Sequence, residues 1–367
     1  MRTRTRPVCS PLTLSWALFA CILASSSATG QQEGDGAVRR VAPRTYEIEH
    51  RVTLTRTNDG APAELRVVIP FPEDTAGQRV LGHPRLRIEP ISATPIDVQQ
   101  RNPYCEVIET QPFGSRVIDV RVADPPIADR YVFTLTYAVD RWNLRISEPE
   151  LRRAPMPRRV APDLDPYLQP ETRVESADPA IQEALREIFP SGAARDVDTV
   201  YEAARRIYAY VLDHCDYVPN ADQGRRRTLW GAADMLANRR GECGDYAALF
   251  IALCRAAGIP ARAQVGFWTS RPDDPHIWAE FHAPGIGWVP VDPSVGDRTR
   301  RSAYFGQVPD LNRRVVVTTG FDHHLDDHEI PFLQTFSYWF RWRGTALQMR
   351  ADYRFTSREV HARTEGR

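Results

Sequence analysis

Between Arg44 and Trp142 the chain alternates apolar and polar positions in short runs: TYEIEHRVTLT, AELRVVIPF, SRVIDVRV and RYVFTLTYAV. A period of two sends successive side chains to opposite faces of a strand, and Asn58-Asp59-Gly60 and several proline joints break the runs as turns do. This pattern predicts a β-sandwich over residues 41–142. Residues 143–176 are rich in proline and arginine and predict a linker packed across the surface. The period then changes. Asp178 followed by Pro179 predicts a capped helix to Phe189, and a second helical pattern runs from Val197 to Cys215. A third runs from Tyr246 to Ala257, with Tyr246, Leu249, Phe250, Leu253 and Ala257 at three- and four-residue spacing, Gly258 as its stop and Pro260 beyond. Strand alternation returns in His276-Ile277-Trp278-Ala279-Glu280-Phe281, Pro284-Gly285-Ile286-Gly287 reads as a turn, and Trp288 to Asp292 as the returning strand. The expected fold is α+β: a domain over 177–306, in which a helix lies on an antiparallel sheet, and a C-terminal extension, 307–367, packing on it. No internal repeat is apparent.

The chemistry concentrates where helix and hairpin meet. Cys243 stands at the start of the third helix, where unpaired N–H groups and the positive end of the helix dipole favour a thiolate and can receive an oxyanion. Gly241 and Gly244 permit a tight entry and close approach of a carbonyl. The hairpin brings His276 and Asp292 together, so an imidazole can take the thiol proton while a carboxylate holds the ring in its useful tautomer. Trp278 and Trp288 are candidates for walls that exclude water. Tyr217 and Trp230 are the candidate side-chain donors to the oxyanion, and the sequence does not choose between them. Singly, Cys243, His276 and Asp292 each have an ordinary structural reading; as an ordered set with glycine at the helix start they point to nucleophilic catalysis.

The stretch RRGECGDYAALFIALCRAAGIPAR, followed by HIWAEF and GWVPVDPS, resembles the transglutaminase-like superfamily, whose papain-like core carries Cys, His and Asp in this chain order. The resemblance extends more weakly over Ala177 to Gly306. It implies a papain-like core with Cys243 as nucleophile, His276 as base and Asp292 as orienting acid, and it implies no cofactor and no metal. The expected activity is attack of Cys243 on a peptide or glutamine carboxamide carbonyl to give a thioester. Water then makes the chain a peptidase or amidase; an amine acceptor makes it a crosslinking acyltransferase. A non-catalytic module that binds a cell-envelope polymer through the sandwich is the reading from another class.

The remaining features narrow partners and location. Charge is balanced, 47 basic against 47 acidic residues, which supplies no global field for nucleic acid. The expected partner is a protein or peptide substrate, conceivably of the cell envelope. All 47 basic residues are arginine, so the chain cannot serve as its own lysine donor. Arg2, Arg4 and Arg6 ahead of an apolar run from Leu12 to Ala24 predict an export signal over residues 1–30, too short to span a bilayer comfortably. Leu18-Phe19-Ala20-Cys21 resembles a lipobox, so a membrane is a partner only if Cys21 is lipidated; periplasmic, secreted and lipoprotein fates stay open. In an oxidising compartment Cys105 and Cys215 can form a disulfide between domains, whereas Cys254 reads as core. Phe321-Asp322-His323-His324-Leu325-Asp326-Asp327-His328 holds ligand-type residues, but adjacent histidines diverge, and a solvated polar loop is the expectation. The aromatics from Phe332 to Trp342 read as the apolar face of a closing strand or helix.

Overall fold

Alternation turns into two facing sheets. The computed structural model of the chain describes residues 36–92, 94–191, 197–219, 231–299, 301–326, 328–330 and 332–360. Seven strands come first: β1 (Val38–Arg56), β2 (Ala61–Pro70), β3 (Gln78–Glu89), β4 (Ile96–Asp97), β5 (Cys105–Glu109), β6 (Arg116–Ala123) and β7 (Arg130–Ile146). The buried positions include Tyr46, Ile48, Val52 and Leu54 in β1 and Tyr131, Phe133, Leu135, Tyr137 and Val139 in β7. With Leu65 and Val67 of β2 and Ile118 and Val120 of β6 they form one core. The intervening residues face water, as expected of an antiparallel sandwich.

Among the described residues, five α-helices follow before the next hairpin: α1 (Glu148–Leu151), α2 (Pro179–Ile188), α3 (Val200–His214), α4 (Ala232–Asn238) and α5 (Cys243–Ala256). Asp178 caps α2, accepting from the Ala180 N–H at 2.8 Å. From Gly244 to Arg255, α5 is buried on every side, the condition of a helix at the centre of a core. Two short strands, β8 (Asp216–Tyr217) and β9 (Arg240–Gly241), pair in parallel ahead of it.

The second sheet region is antiparallel, in the order β12-β11-β10-β13, from β10 (Ala261–Trp268), β11 (Arg271–Ala283), β12 (Gly287–Val291) and β13 (Arg314–Thr319). Ile277, Ala279 and Phe281 of β11 share one core with α5. A last helix, α6 (Pro293–Arg298), follows β12 directly. Phe267, Val315 and Val317 belong to the sandwich core instead, so this sheet and the sandwich are packed together and not merely tethered.

The C-terminal extension differs from expectation. Beyond β13, the short hairpin β14 (His323–Leu325) and β15 (His328–Ile330) is followed by β16 (Ser337–Arg343) and β17 (Met349–Val360), which pair with β2 and β1. The sheet orders become β17-β1-β7-β3-β4 and β16-β2-β6-β5. The physical reason is the unpaired edge: β1 and β2 each expose a row of N–H and C=O groups that a long strand satisfies. Phe336, Tyr338 and Phe340 pack against the sandwich core from β16, the apolar face of a closing strand.

Two smaller expectations are also corrected. Cys105 and Cys215 are both free, because each is buried in a different core, the first in the sandwich and the second beside α5. The histidine-rich segment is a hairpin, not a solvated loop: His323 is buried and bonds Thr110 Oγ1 at 3.0 Å. Among the described residues, no three His, Cys, Asp or Glu side chains converge on one point.

Candidate active site

Cys243 is the first residue of α5, not a residue ahead of it. Glu242 is the N-cap, and its N–H donates to Asp245 Oδ2 at 3.0 Å in a capping box. Gly241 is required just before it: a Cβ there would lie 2.6 Å from the Asp245 Cβ and 2.6 Å from the Met235 sulfur. The Cys243 side chain is half-buried and its sulfur takes a hydrogen bond from the backbone of Ile277, the residue after His276. Protein atoms ring the sulfur and strip most of its hydration. Burial therefore pushes the thiol up to about 12, and the charge of Glu242 adds to the effect. Loss of solvent thus opposes the thiolate that the helix start and the Ile277 N–H favour.

The hairpin supplies the rest. His276 lies opposite Gly266 in the β10–β11 register, and its Nε2 is 2.7 Å from Asp292 Oδ2. An anionic carboxylate only accepts, so Nε2 carries the hydrogen and Nδ1 keeps its lone pair. Asp292 is the N-cap of α6: its Oδ1 accepts from the Val295 N–H at 3.0 Å and from Ser294 Oγ at 2.9 Å. Its carboxyl is held well below the usual range despite burial, by His276, Arg314 and these donors. Burial lowers His276 below 6.5; Asp292 works against that shift, and Arg314 and Arg298 add to it. Burial thus disfavours the charged form of both Cys243 and His276.

Arg314 was not legible as a site residue. Fully buried, it donates from Nη1 to Asp292 Oδ2 at 2.6 Å and from Nη2 to Asp310 Oδ1 at 2.7 Å. The guanidinium lies over Trp268, 4.2 Å from the ring centre, and 5.3 Å from that of Trp278. The same two rings flank His276, at 5.0 and 6.0 Å. Trp278 is therefore a wall, but its companion is Trp268. Trp288 sits elsewhere, 4.0 Å from the Arg262 guanidinium and beside Tyr167. Of the two candidate oxyanion donors, Trp230 lies outside the described residues, as do residues 1–35 with the export signal and Cys21. Tyr217 is near the sulfur: burial, then the charge of Cys243, pushes its phenol up to about 12, so it stays a hydrogen-bond donor at neutral pH.

Residues 191–293, a span containing Cys243, His276 and Asp292, match the family model of the transglutaminase-like superfamily, which places this core in that superfamily. A stretch of 76 residues is 36% identical to the protein-glutamine gamma-glutamyltransferase of Pseudomonas aeruginosa, covering 17% of this chain and 11% of that protein. The match thus spans about a tenth of that relative's length. The crystal structure of a candidate cysteine protease from Cytophaga hutchinsonii superposes with a TM-score of 0.57 at 20% identity, over 86% of this chain and 92% of that one. At that identity the likeness is one of fold. The periplasmic domain of TgpA from Pseudomonas aeruginosa is a more distant match, at 18% identity and a TM-score of 0.32 over 69% of this chain and 92% of that domain.

Proposed function

We propose that the chain is a cysteine acyl-enzyme acting on peptide or glutamine carboxamide bonds, with Cys243 as nucleophile, His276 as base and acid, and Asp292 as the group that orients the ring. One observation carries this reading: Nε2 of His276 is committed to Asp292, leaving the Nδ1 lone pair for the thiol that stands against Ile277. The Cys243 proton passes to Nδ1 as sulfur attacks the carbonyl carbon. The oxyanion is received by backbone N–H groups at the start of α5, with Tyr217 as the candidate side-chain donor. Collapse of the tetrahedral species expels the amine or ammonia, which leaves with the proton held on Nδ1, and a thioester remains. In the second half, water gives a proton to Nδ1, hydroxide attacks the thioester, and the departing sulfur takes the proton back.

Water is the acceptor on the preferred reading, which makes the chain a peptidase or amidase. The second reading is transfer to an amine, favoured by the 36% identity to a protein named as a glutamine gamma-glutamyltransferase. The two share their first half-reaction. The substrate is taken to be a protein or peptide outside the cytoplasm, since the arginines and apolar run of residues 2–24 have the form of an export signal. The test uses residues 31–367 with a glutamine-rich protein, following ammonia, new N-termini and incorporation of a fluorescent primary amine, against Cys243→Ala. New N-termini or ammonia without incorporation support hydrolysis, and Cys243-dependent incorporation supports transfer. None of the three would leave the chain a binding module.

A further inference from the structure

Asp292 receives one more donor than a carboxylate that only steers a histidine requires. Its Oδ2 is shared by His276 Nε2 at 2.7 Å and Arg314 Nη1 at 2.6 Å, while Ser294 and Val295 occupy Oδ1. Arg314 cannot rotate away. Its other amino group is tied to Asp310, itself held by the Tyr304 hydroxyl at 3.0 Å, and the guanidinium face lies over Trp268. Strand pairing fixes it from beneath, with Arg314 opposite Trp268 and His276 opposite Gly266. The close approach of β10 and β13 depends on that glycine: a Cβ on Gly266 would lie 1.8 Å from the Val315 carbonyl oxygen. One tryptophan pair therefore holds both the base and the cation that shares its carboxylate.

We propose that Arg314 is a positioning residue of the acyl-transfer site: it pins Asp292, and through it the ring of His276, and its charge offsets that of the carboxylate beside the base. The inference rests on the acyl-enzyme reading. A purely structural buried pair would stabilise the fold without altering the base, and replacing such pairs by apolar residues is often harmless. Here the geometry makes a different demand. With the carboxylate charge offset, the imidazole is not driven to a standing imidazolium, and proton transfer from Cys243 is left to the moment of attack. The charged and titratable groups acting on His276 are Asp292 before α6, Arg314 from β13 and Arg298 from α6, and Cys243 on α5 bonds the adjoining Ile277 backbone. Those around Arg314 are Asp292, Asp310, Tyr304 and the buried Arg141 of β7.

The test is the rate of Cys243 alkylation by iodoacetamide from pH 4.5 to 10, read peptide by peptide by mass spectrometry, on the full mature chain. It needs no knowledge of the substrate. Wild type should have a plateau through neutral pH that depends on His276, an acid limb below pH 6.5 where the imidazole is protonated, and a second rise at high pH as the thiol ionises unaided. His276→Ala should erase the plateau and keep the high-pH rise. Arg314→Met should move the acid limb to higher pH, because the cation that depresses His276 is gone. Arg314→Lys keeps the charge but cannot bridge Asp292 and Asp310, so the limb should stay while the plateau falls on the order of 10–100-fold, the equivalent of one charge-assisted hydrogen bond. If both Arg314 variants fold and keep the wild-type plateau and midpoint, the proposal is overturned and Arg314 is structural. Should Arg314→Met fail to fold, an undiminished plateau in Arg314→Lys alone overturns it. A wild-type profile that His276→Ala leaves unchanged removes the acyl-enzyme reading itself, and the proposal with it.

Discussion

His50 and His276 are both buried strand histidines, one in the sandwich and one in the catalytic sheet. His50 stacks on Phe355 with ring centres 4.0 Å apart, its Nε2 has no partner, and burial lowers it to about 3. It is a flat, neutral filler. His276 is as deeply buried, yet it has Asp292 on one nitrogen and an arginine sharing that carboxylate, and the Cys243 sulfur bonds the backbone of the next residue, Ile277. Burial alone makes a histidine inert; burial with an anchored carboxylate makes it directional. The same contrast holds for cations. Arg314 in the catalytic sheet is bonded to two aspartates, whereas Arg141 at the end of the sandwich reaches only neutral acceptors, Gln78 Oε1 at 3.2 Å and the Leu311 carbonyl at 2.8 Å, and burial lowers it to about 9.

That contrast can be broken or sharpened in order of effect. Cys243→Ala should reduce turnover by about 10³-fold or more while leaving the melting temperature near wild type, read by amine or ammonia release and calorimetry. Asp292→Asn should cost on the order of 10²–10⁴ in kcat, since the orienting acceptor is lost. It should also destabilise by about 3–5 kcal/mol, because Arg314 loses its anionic partner in a dry site; denaturant titration reads this. Gly266→Ala should destabilise by about 1–3 kcal/mol and depress activity with it, as β10 and β13 are forced apart between the base and Arg314. At neutral pH the smallest effect is at His50, and it grows as the solution is acidified. An unfolded chain protonates this residue near 6.5 and the folded one only near 3, so protons favour unfolding in that window. Stability is complete above 6.5 and falls as pH drops toward 3. His50→Leu should flatten that decline, seen as a melting temperature less sensitive to acid, with activity unchanged at neutral pH.

The trio was legible because each member sits in a short, strongly patterned segment: a glycine-flanked helix start, then a hairpin with an unmistakable turn. The fold class was legible for the same reason, since alternation in 44–142 and three-to-four spacing in 246–257 are local signals. Arg314 was not. In NRRVVVTT it looks like any arginine ahead of an apolar strand, and only the pairing of β13 with β10 carries it to Asp292. Trp268 was missed, and Trp288 wrongly promoted, because the wall depends on which sheet face each ring takes. The effect of burial on the thiol was not legible, since a helix start is visible in sequence and desolvation is not. The roles of β16 and β17 rest on pairings with strands roughly 270–310 residues away, beyond the reach of any local pattern.

The most direct test of the central claim is an acid-quenched, single-turnover reaction of the mature chain with a glutamine-containing peptide, analysed by mass spectrometry after proteolysis. The account predicts an acyl adduct on Cys243 that hydroxylamine removes, formed in step with amine or ammonia release and absent from Cys243→Ala. Release of product at the same rate from Cys243→Ala, or with the acyl group on another residue, would contradict it.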